Sequence, residues 1–329
     1  MPASPPTSRP APQPARLPAA LERVLPLLRC PACGAPLAPG DGALRCPERH
    51  SFDVARHGYA GLLTGARATS GDDGPMARAR RDFLAAGRYA PVRGAVADLA
   101  TEAVAHLRQG PADSGPGRPF VVDVGCGTGY YLAGVLDALP DPRTGARPDA
   151  VGLGLDTSAH ALRVAARAHP RAAAATWDVF RPFPVASGCA DVLLDVFAPR
   201  NPAEFHRVLR PGGALVVVRP YRGHLAELRR QVSGMVAVDP DKERRLHDAL
   251  DPWFEPVRTR EVEYTTPLTR QEAVDLVLMT PSARHVTAAD LSDDDLPGEV
   301  TVSVLATAYR RRDTISAGER PPAAATTRR

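Results

Sequence analysis

Long apolar runs, lysine and aromatic side chains are all scarce in this sequence. No apolar run reaches the roughly 18 residues that cross a bilayer, so we expect no membrane-spanning helix. Lys242 is the only lysine, and the net charge of +4 over 329 residues is modest, so total charge is weak evidence for a nucleic acid partner. Aromatic residues make up 5% of the chain, which does not favour a pocket built for a small apolar substrate.

Local positive charge is more informative than the total. The stretch "ARARRDF" with the nearby Arg88, and the stretch "RRQ" near residue 230, are basic patches of the kind that can hold phosphate. Either patch alone is more typical of a solvated helix face.

The two ends of the chain have the composition of tails. The first residues are dominated by proline and alanine and lack the apolar segment of a secretory signal. We therefore predict disordered tails at residues 1–22 and 313–329 and a cytoplasmic location. In that reducing compartment, closely spaced cysteines are metal ligands or catalytic groups more often than disulfides.

Three of the five cysteines fall close to a histidine in "CPACGAPLAPGDGALRCPERH". The spacing is Cys-x2-Cys, then twelve residues, then Cys-x3-His, which is typical of a structural zinc site with four protein ligands and no open position. His57 is the one other nearby histidine that could replace His50 as the fourth ligand, but its sequence separation from Cys46 is too long for a tight turn. The alternative is that the cysteines of this segment are unrelated free thiols. Cys126 and Cys189, elsewhere in the chain, are interpreted as small buried residues. The predicted ligands are Cys30, Cys33, Cys46 and His50.

The rest of the chain predicts an α/β fold. A helix is expected from near Asp73 or Pro75 to Gly87, and a second helix follows it. Beyond these, short apolar runs alternate with amphipathic helices, which predicts βαβ units and a mostly parallel, doubly wound sheet. The two extended runs "PVRTREVEYTTPL" and "EVTVSVLATAYRRR" could pair antiparallel at the sheet edge.

The segment "VVDVGCGTGYY" carries the main cofactor signal. An apolar strand ends in Asp123 and leads through Gly125, Gly127 and Gly129 into a helix. Dinucleotide enzymes use a similar loop, but their Gly-x-Gly-x-x-Gly follows the strand directly. An acidic residue before Gly-x-Gly-x-Gly is the signature of methyltransferases that use S-adenosylmethionine.

Two further carboxylates end the next two predicted strands. Asp156 ends "GLGLD" and could accept both ribose hydroxyls, and Asp178 ends "AAAATWD" and could meet the adenine amino group. The three acids fall together on the carboxyl edge of the sheet, where open α/β folds bind ligands. Each aspartate alone could be a helix cap, but their order favours the cofactor site.

The zinc segment and this core together resemble the 23S ribosomal RNA guanine-N1-methyltransferase family. The closest resemblance is to its branch that confers resistance to tylosin and mycinamicin. The motifs that carry it include "LRCPERHSFDVARHGYAGLL", "FLAAGRYAPV", "LDTS", "FAPRNPAEFHRVLRPGG" and "HLAEL". The resemblance implies a Rossmann-like class I methyltransferase with a small N-terminal zinc-binding module. The expected units are a zinc module at 23–64, a helical linker contacting the cofactor site at 65–110 and the methyltransferase domain at 111–312.

The resemblance also implies residue roles. Tyr89 would lie over the bound cofactor, and His224 would close the pocket near the methionine end. Thr157 in "LDTS" would stand beside Asp156. The stretch "MTPSARH" lacks the aromatic residue that usually follows Met-Thr-Pro, which argues against base stacking there. The implied loop residues are Gly127, Thr128, Gly129 and Tyr130.

The implied reaction is methyl transfer to N1 of a guanine in a 23S rRNA hairpin. The loop after "ADVLLDV" would contact the substrate, with Arg200 and Asn201 as candidate catalytic residues beside Phe197 and Pro199. The guanine must be unpaired or extruded, and the zinc module could grip the hairpin. A small-molecule methyltransferase with an accessory zinc module is the alternative, and a non-catalytic RNA-binding protein is another. The sequence identifies no base that would remove the proton from N1. A homodimer is possible.

Overall fold

The computed structural model describes residues 16–65, 71–109, 118–139, 150–232, 242–284, 286, 291 and 296–313. A first helix, α1 (Ala19–Val24), overlaps the end of the stretch predicted as a tail. Its apolar residues follow the i, i+3, i+4, i+7 spacing of one helix face, and that face is buried in the core. The tail prediction is therefore wrong for residues 19–22, and residues 1–15 and 314–329 lie outside the described part of the chain. The buried residues of this face are Leu17, Ala20, Leu21 and Val24.

A small antiparallel sheet follows a 3-10 turn at Leu25–Leu27. Its strands are β1 (Ala38–Pro39), β2 (Ala43–Arg45) and β3 (Ser51–Asp53), in that spatial order. The segment after β3 extends the main sheet, because Ala60 exchanges backbone hydrogen bonds with the strand that contains Ala174. The module is thus attached through backbone pairing as well as side chains.

Two helices lie between the small sheet and the main sheet in sequence. Helix α2 (Gly74–Ala85) begins where expected, since the Asp73 side chain accepts a hydrogen bond from Met76 N at 2.9 Å. Gly87 adopts a left-handed φ of 78° between this helix and α3 (Ala90–Gln109). Both predicted helices are confirmed.

The main sheet has seven strands in the order β6-β5-β4-β7-β8-β10-β9. Neighbouring strands from β6 to β8 pair in parallel, whereas β10 is antiparallel to both β8 and β9. The mostly parallel sheet and its antiparallel edge pair are confirmed. The strands are β4 (Phe120–Val124), β5 (Val151–Asp156), β6 (Ala172–Thr176), β7 (Ala190–Val196), β8 (Leu209–Pro220), β9 (Phe254–Pro267) and β10 (Glu299–Arg311).

Helices cover both faces of this sheet. Alternate strand residues enter opposite cores: Val121 packs in the core with α3, whereas Val122 packs in the core with α1 and the small sheet. In the described ranges, no helix combines the length and hydrophobicity of a membrane span. The remaining helices are α4 (Tyr130–Ala138), α5 (Ala159–Ala165), α6 (Pro202–Val208), α7 (Ala226–Gln231), α8 (Lys242–Leu250) and α9 (Arg270–Leu278).

The small sheet and the main sheet share one apolar core. Leu44 and Phe52 from the small sheet are buried in the same cluster as Val122 and Leu153 from the main sheet. The predicted unit boundaries at 64 and 111 stay predictions, but the zinc module does not bury its apolar face alone.

Candidate functional site

The four predicted metal ligands come together in the small N-terminal sheet. The ligand atoms of Cys30, Cys33, Cys46 and His50 all lie within 4.8 Å of one another. Each ligand pair sits on a backbone turn: Gly34 N donates to Cys30 O at 2.8 Å, and Arg49 N donates to Cys46 O at 3.0 Å. Both donors have positive φ, which fits the sharp reversal that each turn needs.

The spacing of these atoms fits a tetrahedral Zn²⁺. With Zn–S near 2.3 Å and Zn–N near 2.0 Å, the edges of such a tetrahedron are about 3.5 to 3.8 Å. Cys33 Sγ and Cys46 Sγ are 3.7 Å apart, and Nδ1 of His50 is 3.6 Å from Cys30 Sγ and 3.3 Å from Cys46 Sγ. His57 does not join the group, and its ring lies beside Arg56 and Arg167 instead.

A cavity of about 340 Å³ opens at the carboxyl ends of β4 to β7. Most of the predicted cofactor residues line it, together with Phe197 and Pro199 from the loop after β7. Gly129 and His224 do not line it: Gly129 precedes α4, and His224 lies buried behind Tyr89 and Phe197. The predicted residues on the wall are Tyr89, Asp123, Gly125, Gly127, Thr128, Tyr130, Asp156, Thr157 and Asp178.

The glycine loop closes tightly over the end of β5. Gly125 N and Cys126 N both donate to Leu155 O, at 2.8 and 3.1 Å. Gly125 has a φ of 67°, and a Cβ on it would lie 2.6 Å from the Cβ of Ala198. Any larger residue at Gly125 would therefore strain the backbone and push the Ala198 loop away.

Comparison with known proteins identifies the family of the chain. Residues 28–67 match the zinc ribbon family described as RlmA, N-terminal. The 23S rRNA (guanine(748)-N(1))-methyltransferase of Streptomyces fradiae is 42% identical, over 88% of this chain and 98% of that protein. A protein of Micromonospora griseorubida with the provisional name 23S rRNA (guanine-N(1)-)-methyltransferase is 48% identical, over 87% of this chain and 98% of that one. This chain belongs to the 23S rRNA guanine-N1-methyltransferase family.

A more distant relative matches a somewhat smaller part of the chain. The Bacillus subtilis (strain 168) protein YxjB, with the same provisional name, is 32% identical over 78% of this chain and 86% of its own length. As a member of this family, the chain is a methyltransferase that uses S-adenosylmethionine and carries zinc.

The buried carboxylate of Asp123 suits the positive charge of S-adenosylmethionine. Its Oδ2 lines the cavity region, is shielded from solvent and has no hydrogen-bond partner among the described residues. Burial, followed by the charges of Asp156 and Asp195, raises the pKa of Asp123 well above its usual range. A cationic ligand beside Asp123 would supply the missing partner and favour the carboxylate form.

Asp156 is positioned by backbone groups on either side. Its Oδ2 accepts from Gly127 N and its Oδ1 from Ser158 N, each at 2.8 Å. Burial raises the pKa of Asp156, and these two N–H groups oppose that rise. Each carboxylate oxygen keeps a further lone pair, so hydroxyl donors can still bind there.

One wall of the cavity was missed by sequence reasoning. Arg80 from α2 donates through Nε and Nη2 to the two carboxylate oxygens of Asp72, at 2.7 and 3.2 Å. Its Nη2 also donates to Met279 O at 2.8 Å, which ties α2 to the end of α9. Met279 lies 199 residues from Arg80 in sequence, and the arginine alone was interpreted as part of a surface patch.

The wall of the cavity carries two exposed aromatic rings. Phe180 and Phe197 are 68% and 38% exposed, and both line the cavity. Phe197 has a φ of 56°, a conformation that costs a non-glycine residue about 1–2 kcal/mol. Its ring stacks on His224, with centroids 6.0 Å apart and planes 21° apart, and lies 6.3 Å from the ring of Tyr89.

The two candidate catalytic residues hold the loop rather than face the cavity. Nε of Arg200 lies 3.5 Å from Oδ1 of the fully buried Asp195. Asn201 caps α6, because its Oδ1 accepts from Glu204 N at 3.4 Å, and its Nδ2 donates to Val179 O at 2.9 Å. Neither residue is among those that line the cavity.

Proposed function

We propose that this protein methylates N1 of a guanine in a hairpin of 23S ribosomal RNA, with S-adenosylmethionine as methyl donor. The observation that carries the proposal is one cavity that combines the buried Asp123 carboxylate, whose Oδ2 has no hydrogen-bond partner among the described residues, with the exposed ring of Phe197. The carboxylate suits a cationic cofactor, and the aromatic ring suits stacking with a flat base. The names of the relatives from Streptomyces fradiae and Micromonospora griseorubida support the same substrate.

The residues of the cavity would orient the reactants. S-adenosylmethionine supplies a methyl group on a sulfonium, which is a good leaving group, so alignment is the main task of the protein. We assign the cationic end to Asp123, the ribose hydroxyls to Asp156 and the adenine amino group to Asp178. Tyr89 and the Gly125–Gly129 loop would form the remaining contacts.

The proton on guanine N1 has to leave during the reaction. His224 is neutral at physiological pH, because burial and then the charge of Arg229 lower its pKa to about 4, but it does not line the cavity. We therefore place His224 as a positioning residue for Phe197 and Tyr89. Among the described carboxylates that line the cavity, Asp72 is the one without a cofactor assignment, so it is the group that could accept the proton, either directly or through water.

The target guanine must be accessible outside a base pair, because N1 lies on the Watson–Crick edge. A flipped base would stack on Phe197, and the zinc module would contact the surrounding hairpin. The reaction would take place in the cytoplasm, where ribosomal RNA is modified. We further propose that the added methyl protects the ribosome against a macrolide such as tylosin.

Primer extension on 23S rRNA tests the reaction. An N1 methyl removes a donor from the pairing edge, so reverse transcriptase should stop one nucleotide before the modified guanine. We expect the stop with the wild-type protein and S-adenosylmethionine, and its loss with Asp123→Ala. If no 23S hairpin acquires a stop, the substrate is wrong. Expression in a tylosin-sensitive host lacking its own enzyme tests resistance separately, and unchanged growth inhibition would refute that part alone.

A further inference from the structure

Three arginines converge on one histidine at the edge of the main sheet. Arg56 Nε lies 3.3 Å from Nε2 of His57, and Arg167 Nη2 lies 3.2 Å from its Nδ1. Arg163, one helical turn from Arg167, adds a third charge close enough to act on His57. The arginines are exposed and the histidine is half-buried. These four residues are called the His57 cluster.

Among the described residues, the His57 cluster has no negatively charged partner. A neutral imidazole has one acceptor nitrogen, yet both ring nitrogens of His57 face an arginine N–H group. No carboxylate of the described residues forms an ion pair with Arg56, Arg163 or Arg167.

The basic patches predicted from the sequence differ in this respect. Arg81 pairs with Asp82 at 2.8 Å, and Arg88 pairs with Glu272 at 2.9 Å. Arg230 lies 3.9 Å from Glu227. Carboxylates thus offset the charges of Arg81, Arg88 and Arg230, whereas Arg78 of the first patch forms no ion pair among the described residues. The His57 cluster holds three such arginines and is the stronger candidate for an external anion.

The cluster is also close to the cofactor cavity. Arg163 and Arg167 belong to α5 and its C-terminal end, and this helix begins at Ser158, directly after the cavity residue Thr157. Arg163 is six residues beyond Thr157 in sequence, which is about 9 Å along a helix axis. An RNA whose target base occupies the cavity would therefore bring neighbouring phosphates near α5.

We propose that Arg56, His57, Arg163 and Arg167 form a binding site for the phosphate backbone of the RNA substrate, at the junction between the zinc module and the methyltransferase domain. This inference rests on the proposed function for the identity of the RNA. Phosphate oxygens are acceptors only, so they match the N–H groups that the cluster presents. Burial and the charges of Arg56, Arg167 and Arg163 lower the pKa of His57, and a bound phosphate would oppose the arginine contribution.

The test compares two double variants that remove the same charge. Arg163→Ala with Arg167→Ala removes two cluster arginines, and alanine preserves helix propensity in α5. Arg258→Ala with Arg310→Ala is the matched control, because these exposed arginines pair with Glu102 and Glu255 at the other edge of the sheet. Zinc content, S-adenosylmethionine affinity and Tm establish that each full-length variant is folded.

The readout is affinity for the 23S hairpin transcript as a function of salt. We expect the cluster variant to bind RNA about tenfold or more weakly near 0.15 M salt. The slope of the logarithm of the association constant against log salt should become less steep by about one to two. The KM for RNA should rise while kcat stays near the wild-type value. The control variant should keep the wild-type slope. Equal slopes and KM values for the cluster variant and wild type would overturn the proposal.

A second RNA separates this proposal from the proposed function. Backbone contacts are independent of sequence, so the cluster variant should lose the same slope on an unrelated hairpin of equal length. If wild type leaves 23S rRNA unmethylated but the slope difference persists, the substrate is wrong and the phosphate site stands. If the cluster variant does not fold, NMR titration of His57 in wild type decides, because RNA binding should raise its pKa. An unchanged His57 titration would then refute the site.

Discussion

Gly127 N donates a 2.8 Å hydrogen bond to Oδ2 of Asp156, which ties the glycine loop after β4 to the end of β5. The second carboxylate oxygen accepts from Ser158 N, at the start of α5. One side chain therefore fixes two backbone segments that border the cavity. The carboxylate that we assign to the ribose also holds its own binding loop in place.

Asp156→Ala should weaken S-adenosylmethionine binding more than tenfold. The substitution removes the acceptor for two backbone N–H groups, each hydrogen bond to a charged group being worth about 1.5–3 kcal/mol, and it also removes the proposed ribose acceptor. Asp156→Asn keeps one acceptor oxygen, so its affinity for S-adenosylmethionine should lie between those of Asp156→Ala and the wild type. Calorimetric titration with S-adenosylmethionine measures the affinities.

The control for this prediction is Asp98→Ala, which removes an exposed carboxylate of α3 paired with Arg260. It should leave cofactor affinity at the wild-type level, and all three variants should keep their zinc. Equal affinities of Asp156→Ala and wild type would show that the ribose assignment is wrong.

Phe197→Ala should weaken RNA binding and leave S-adenosylmethionine binding nearly unchanged. Stacking of a base on an aromatic ring is worth about 1–3 kcal/mol, or roughly a 5- to 150-fold rise in KM for RNA. Phe197→Tyr should retain most of the wild-type KM, because the stacking surface remains. Steady-state methylation of the 23S transcript gives KM and kcat for each variant.

Phe180→Ala is the matched comparison, since Phe180 is also exposed on the cavity wall. Its backbone N–H donates to Oδ1 of Asp178, which places the ring beside the carboxylate that we assign to the adenine, so loss of the ring should act mainly on cofactor affinity. A Phe197→Ala variant with unaltered KM for RNA would exclude stacking on this ring.

The parts that were predictable from sequence are those set by local pattern. Alternating apolar runs indicated the sheet, and because parallel strands end at one edge, the order of Asp123, Asp156 and Asp178 predicted one cavity. The Cys/His spacing identified ligands that the structure brings within 4.8 Å of one another. Helix α1 was also readable from the spacing of Leu17 and Leu21, but the proline-rich composition of the preceding residues obscured it.

The parts that were not predictable depend on contacts between distant segments. The hydrogen bond from Arg80 to Met279 O requires α9 to meet α2, and the two residues are 199 positions apart. His57 and Arg167 are 110 residues apart, and only the attachment of the zinc module at the edge of β6 brings them together. His224 lies one layer behind the cavity because the chain after β8 passes behind Tyr89 and Phe197, which no local pattern indicates.

Removal of zinc should destabilise the whole protein in one transition. Leu44 and Phe52 of the zinc module share a core with the main sheet, so loss of the metal should loosen both. Structural zinc contributes about 10–16 kcal/mol of apparent binding free energy in small modules, and we expect Cys33→Ser to lose the metal and at least about 3 kcal/mol of stability. Metal analysis and thermal unfolding monitored by far-UV circular dichroism measure both effects.

Cys189→Ser is the control for zinc loss. Cys189 lies outside the ligand group, and its Sγ donates to Ala186 O, a bond that serine can keep. This variant should retain about one zinc per chain and a Tm near that of wild type. Wild-type protein purified without chelator and found free of zinc would refute the metal site.

His224 should make folding less stable as the pH falls from about 6.5 to about 4. Burial and then the charge of Arg229 lower the pKa of His224 to about 4, and Nδ1 accepts a hydrogen bond from Ser303 N at 3.2 Å. The unfolded chain binds the proton near pH 6.5 and the folded protein does not, so the unfolded state gains stability over this interval. The loss should approach about 1.4 kcal/mol per pH unit and total about 3 kcal/mol.

The variant His224→Gln isolates this contribution, since the glutamine oxygen can accept from Ser303 N but does not titrate. Urea unfolding at a series of pH values should give wild type the steeper decline, by close to one proton, between pH 6.5 and 4. Above pH 7 both side chains are neutral, so the difference in unfolding free energy should be constant there. Parallel curves below pH 6.5, or a His224 ring signal that titrates near pH 6.5, would contradict the burial of a neutral histidine behind Phe197.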